Sequence, residues 1–250
     1  MYRLYQYNDN DFRIICTKND FIKEKKEKSD NDYYIPQDDS EIDRISISRS
    51  RRMIREYSLC NDFKYFFTST VNSQFCDRFS LDNTQDKIRK IMKSIKRKNK
   101  DFIYLFITEK HKDGAFHFHG LCNDTTDLYI NDNGYLSSVS FDKLGYNSFS
   151  MILDKTRCSN YIMKYITKNC IKNDKGSVYF CSRGLKTARV YDIKPIDLDK
   201  FNKKLFQNDF VKICDFSLNN SNKEQLLYMQ YNIQDKETFL KEFLKKCSII

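Results

Sequence analysis

Two apolar runs, DFIYLFITEK and AFHFHGLC, are separated only by HKDG. Each is too short and too rich in aromatic and β-branched residues to be a helix, and an Asp-Gly pair supplies the backbone conformation that a tight turn needs. The stretch therefore reads as a β-hairpin, and the rest of the domain must be built on an antiparallel sheet. In a strand, alternate residues share a face, so His117 and His119 of FHFHG point the same way. Glu109 lies eight residues before His117, near the end of the partner strand, where a hairpin brings its carboxylate beside the imidazoles. A Glu-His-His set of this kind binds a divalent ion and leaves positions open for a substrate oxygen. The plainer alternative is a solvated or core-satisfied strand pair with an ordinary surface carboxylate. His111, on the turn, reads as exposed rather than liganding.

Around the hairpin the pattern continues. FKYFFTSTV (63–71) reads as a strand, and DNTQDKIRKIMKSIKRKNK reads as a helix with a cap at Asp82 or Asn83 and apolar Ile88, Ile91, Met92 and Ile95 at helical spacing. The order is strand, helix, strand, strand. Upstream, a helix from about Ser48 to Leu59 carries Arg49, Arg51, Arg52 and Arg55 in two turns, as a phosphate-facing segment would. It follows a charged stretch, 23–43, that reads as a linker. Downstream, DLYINDNGYLSSVSFDKLGYNSFSMILDK is turn-rich and alternating. It suits further strands or a DNA-contacting insertion, with Tyr135, Tyr146 and Phe149 as base-stacking candidates. SVYFCSRGLK reads as a strand ending in a loop whose Arg183 and Lys186 are candidates for backbone contact, solvated charge being the alternative.

In NYIMKYITKN, Tyr161, Lys164, Tyr165 and Lys168 fall at i, i+3, i+4 and i+7 and form one stripe of a helix, with Ile162, Met163, Ile166 and Cys170 on the other side. Each tyrosine is followed three residues later by a lysine. A phenol that attacks a phosphodiester needs a cation close by, and each has a candidate.

The net charge of +10 favours a polyanionic partner, nucleic acid first. Nine scattered cysteines with no CxxC spacing suggest neither a disulfide framework nor a zinc finger. The first residues, MYRLYQYNDNDF, have no basic-then-apolar leader, and no run of 18 apolar residues occurs, so the expectation is a cytoplasmic protein without membrane contact.

These motifs resemble those of the HUH endonucleases, specifically rolling-circle replication initiators of plasmids and small DNA phages. FHFHG looks like the histidine-hydrophobic-histidine motif, Glu109 sits where many members place a third metal ligand, and YIMKYITK resembles the YxxKYxxK helix of the two-tyrosine type. FFTSTV is similar to their first, mainly structural, motif, and the order of the three also matches. The resemblance spans about Cys60 to Ile193.

It implies an α+β fold with a central antiparallel sheet and helices on one face, the ferredoxin-like or RRM-like HUH palm. The implied domains are an extension over 1–60 with a charged linker and a basic helix, the endonuclease domain over 61–195, and a helical tail over 196–250, where Phe239, Leu240, Phe243 and Leu244 have helical spacing. The implied activity is nicking of single-stranded origin DNA. Tyr161 or Tyr165 would attack with Lys164 and Lys168 in support and Mg or Mn held by Glu109, His117 and His119, giving a 5′-phosphotyrosine and a free 3′-OH before the strand is rejoined. No glycine is followed by Lys-Ser or Lys-Thr, so there is no P-loop, and unwinding would come from a host helicase and extension from a host polymerase. Oligomerisation through the tail is a further possibility. The competing readings are a non-cleaving origin-binding regulator and an HUH single-strand transposase.

Overall fold

The computed structural model describes residues 2–18, 39–125, 127–166, 178–193, 211–219 and 225–232. The chain divides into two compact units, one formed by 36–186 and the other by 1–35 together with 187–250.

The unit formed by 36–186 carries the motifs. Its five-stranded sheet has the order β8 (Asn147–Met151), β3 (Tyr65–Thr70), β5 (Phe116–Cys122), β4 (Tyr104–Lys110), β9 (Tyr179–Cys181), and every pairing is antiparallel. The FHFHG strand is thus the middle of the sheet. The expected hairpin forms: the turn 111–115 closes with the His111 amide donating to the Ala115 carbonyl, and Gly114 takes the left-handed φ of 90°. Glu109 pairs across from His117 in the register.

Strand alternation divides the core in two. Phe67, Phe106, Phe118 and Phe149 face one side, where helix α2 (Leu81–Lys98) covers them with Ile88, Ile91, Met92 and Ile95. Leu105, Ile107 and Leu121 face the other side, against Ile47 and Ile54 of helix α1 (Asp39–Cys60) and Ile162 of helix α4 (Lys155–Ile162). The α+β class and the central antiparallel sheet stand as expected, with helices on both faces rather than one. A short helix α3 (Val139–Asp142) and the two-stranded ribbon of β6 (Leu128–Ile130) and β7 (Leu136–Ser138) fill the span between β5 and β8.

Two boundaries move for local reasons. Helix α2 is capped by Ser80, whose side chain accepts from the Asn83 amide, instead of by Asp82 or Asn83. Asp82 falls within the first turn, where a carboxylate favours the helix N-terminus. Helix α1 begins at Asp39, well before Ser48, and its apolar residues pack on the sheet, which makes the basic helix part of this unit.

The other unit has its own antiparallel sheet, ordered β10 (Arg189–Ile193), β1 (Tyr2–Gln6), β2 (Asp11–Lys18), β12 (Gln225–Asn232), β11 (Val211–Asn219). Leu4, Phe12 and Ile14 share its buried face, and Asn8 forms the β1–β2 turn by accepting the amides of Asn10 and Asp11. A strand pair thus stands where an extension was expected. Within 196–250, where a helical tail was expected, the described residues are β11 and β12, both paired in the ladder of β2. The helical spacing at Phe239 to Leu244 lies outside the described residues.

Candidate functional site

The three central strands each bring one kind of group to the same sheet face. From β5 come His117 and His119, from β4 comes Glu109, and from β3 come Phe66, Thr68 and Thr70. His119 is 7% exposed, and its Nε2 lies 2.9 Å from the Glu109 carboxylate, a diagonal contact one step beyond the directly paired His117.

The opposite ring nitrogens are also engaged. Nδ1 of His119 is hydrogen-bonded to the Thr68 hydroxyl at 3.2 Å, and Nδ1 of His117 to the Thr70 hydroxyl at 3.1 Å. Register explains both contacts, because Thr68 pairs with His119 and Thr70 with His117. Burial is the main influence that pulls both imidazoles below the ordinary histidine range, against the Glu109 charge, so neutral rings are favoured. His111 is exposed, as expected, but its ring stacks on that of His117 at 4.7 Å.

The tyrosines stand over this face. Asp154 caps α4 by accepting from the Arg157 amide, and the helix runs only to Ile162. A 3-10 turn, Met163–Tyr165, then tightens the chain, so Tyr161 and Tyr165 do not lie on the single α-helical stripe that their spacing suggests. They nonetheless meet: the Tyr165 hydroxyl donates to the Tyr161 oxygen at 2.6 Å.

The Tyr165 ring stacks on His119, with centroids 3.9 Å apart and planes 15° apart. Phe66 packs edge-on to Tyr161 at 5.3 Å and 6.1 Å from His119, a wedge between phenol and imidazole. Burial, and then the hydrogen bond that it donates, push the Tyr165 hydroxyl well above the usual phenol range. Tyr161 is the open member of the pair, 44% exposed, with the Lys164 ammonium 5.5 Å from its ring centre. Lys168 lies outside the described residues.

The arginines of α1 divide. Arg51 donates from Nε to the Ile166 carbonyl at 3.0 Å and again through its terminal nitrogen, closing the end of the tyrosine turn. Arg55 reaches Asn160 and the Met163 sulfur on the same segment. Arg49 and Arg52 are exposed. Arg183 and Lys186 are also exposed, and the Lys186 backbone is pinned on both sides by the Asn61 side chain. Tyr135 and Tyr146 are exposed, whereas Phe149 belongs to the core.

A groove of about 790 Å³ opens beside Tyr161 and Lys164, with Phe66 and Thr68 on one side and the exposed Met151 and Leu153 on the other. Among the described residues no three His, Cys, Asp or Glu side chains converge into a ready-made metal cage. The donors are nonetheless of the right kind for a divalent ion. A carboxylate and two imidazoles share one face, and each imidazole has its other nitrogen held by a hydroxyl, the arrangement that orients a liganding histidine.

Sequence reasoning missed Phe66, Thr68 and Thr70, although their period of two on a strand beside FHFHG is a signal for them. It also missed the stacking role of His111, for which the sequence carries no signal. No helix among the described residues is long and apolar enough to cross a membrane. No curated protein and no solved structure matches the chain. Residues 64–170, which hold the clamp strands, the threonines and the tyrosines, match the family model of the ORF2-type replication-associated protein, and the match supports a replication initiator of the Rep kind.

Proposed function

We propose that the protein initiates rolling-circle replication by nicking and rejoining single-stranded origin DNA through a tyrosine of the HUH two-tyrosine type. The observation that carries this reading is the stack of Tyr165 on His119, with the Tyr161 hydroxyl hydrogen-bonded to the Tyr165 hydroxyl and the Glu109 carboxylate to His119. Two phenols, two imidazoles and a carboxylate meet at the mouth of a groove wide enough for unpaired nucleotides.

Glu109, His117 and His119 are the residues that would hold Mg or Mn, which when bound would polarise the scissile phosphate and stabilise the charge that develops on it. The chain's own groups do the rest. Tyr161, exposed and beside Lys164, is the first nucleophile, and the Tyr165 hydroxyl gives its oxygen a hydrogen-bond donor. Attack joins the Tyr161 oxygen to the 5′ phosphate and releases a 3′-OH that a host polymerase extends, with a host helicase opening the duplex. Tyr165 supplies the nucleophile for the closing transfer, after the first phenol has been consumed. Met151 and Leu153 offer apolar surface to bases along the groove.

The test is to incubate the protein with Mn and single-stranded origin DNA and look for a denaturation-resistant adduct. Tyr165→Phe should retain most first-step adduct and Tyr161→Phe only some, the double change none, and both singles should fail to release circles. An adduct in the double variant would overturn the site. Full cycling by one single variant would reduce the mechanism to one nucleophile.

A further inference from the structure

The sheet face opposite the tyrosines carries a second feature. Helix α2 buries Ile88, Ile91, Met92 and Ile95, and its outer side is crowded with cations. Lys90, Lys93, Lys96 and Arg97 converge with Arg183 and Tyr104 on a groove of about 670 Å³. No carboxylate lines it. The Asp86 carboxylate, earlier on the helix, is taken by Arg89.

The walls are held in place. The Ser182 hydroxyl accepts the Tyr104 amide and the Ser182 amide donates to the Tyr104 carbonyl, which fixes the loop bearing Arg183 against β4. Lys96 donates to the Phe102 carbonyl at 2.7 Å, leaving Lys90, Lys93 and Arg97 as the exposed charges. Tyr104 and Glu109 are five residues apart on one strand, about 17 Å, and their side chains leave opposite faces. This groove is therefore not an extension of the tyrosine groove.

We infer that the α2 groove is a second DNA site, which grips the phosphate backbone of a double-stranded segment while the single strand lies in the tyrosine groove. The inference rests on the reading of the protein as a replication initiator. Lys90 to Arg97 span about 10 Å along the helix, the axial length of roughly three phosphates on one strand. The groove offers charge but little to stack a base on, since Tyr104 is its only aromatic lining residue and is half-buried. Backbone charge without stacking suits a duplex, whereas the tyrosine groove with its exposed apolar side chains suits unpaired bases.

The test uses the full chain and the variant Lys90→Gln/Lys93→Gln/Arg97→Gln, with anisotropy of a labelled mixed-sequence duplex and of the matching single strand over a range of salt. The expected result is a loss of about tenfold or more in duplex affinity and a salt slope shallower by about 2 to 3, with single-strand affinity within about twofold. Lys90→Arg/Lys93→Arg should bind the duplex as the parent does, which separates charge from any fault in folding. Equal losses on both DNAs, or no loss on either, would overturn the inference. The duplex measurement can be read whether or not a tyrosine adduct forms, so a failed nicking reaction and a failed groove are told apart.

Discussion

Replacing Thr68 or Thr70 with valine keeps the β-branched shape that suits β3 and removes only the hydroxyl at the histidine Nδ1. The contacts at stake are single hydrogen bonds of 3.2 and 3.1 Å to rings that are buried or half-buried. One such bond is worth about 0.5 to 1.5 kcal/mol, and removing an outer-sphere partner of a liganding histidine weakens metal binding about 10- to 100-fold. Each variant should therefore bind Mn about tenfold more weakly. The double variant should approach about a hundredfold, because the two threonines serve different imidazoles.

Calorimetric titration of Mn into the metal-free protein reads this directly, and thermal melting confirms that the sheet is intact. Mn binding within twofold of the parent in both variants would refute the orienting role of the threonines. Absence of Mn binding in the parent would instead refute the assignment of Glu109, His117 and His119.

Alanine at Glu109, His117 or His119 should lower adduct formation by at least about a hundredfold while leaving single-strand affinity within a few fold, as measured by adduct gels and anisotropy. Parallel loss of binding would favour a non-cleaving regulator. Gly120→Ala would press a methyl into the Phe67 ring and 2.6 Å from the Leu105 carbonyl oxygen. It should cost about 2 kcal/mol or more and lower the melting temperature by roughly 4 to 8 °C; an unchanged melting curve would show that the sheet opens freely there. Arg51→Ala removes the clasp on the Ile166 carbonyl. It should slow adduct formation without changing the salt slope of binding, whereas a slope shallower by about one would mark Arg51 as a phosphate contact.

The parts of the molecule that follow from local periodicity were legible in the sequence. The FHFHG alternation, the Asp-Gly turn and the position of Glu109 together define a hairpin face without reference to anything distant. The glycine that ends FHFHG has a different explanation: it leaves room for the Phe67 ring, a contact across strands that no local pattern reveals. The tyrosine pair was legible as residues but not as geometry. Its spacing implies a continuous helix, whereas the α-helix stops at Ile162 and an arginine more than a hundred residues upstream closes the turn. Two of the four arginines of α1 reach that segment, and charge density alone does not distinguish such a clasp from a phosphate contact. The second sheet was not legible, because β1 and β2 find partners only in strands that follow residue 188.

That last pairing bears on how the chain is made. The unit formed by 36–186 is one unbroken stretch, and its sheet can close as soon as β9 has left the ribosome. The sheet containing β1 and β2 must wait, because β2 gains its outer neighbour only when residues 225–232 emerge, more than 200 positions after it was synthesised. Pairings so distant in sequence form slowly, since the intervening chain must first be brought to order. The first hairpin is therefore left with an unpaired edge for most of translation, while the unit that carries the tyrosines can already be folded.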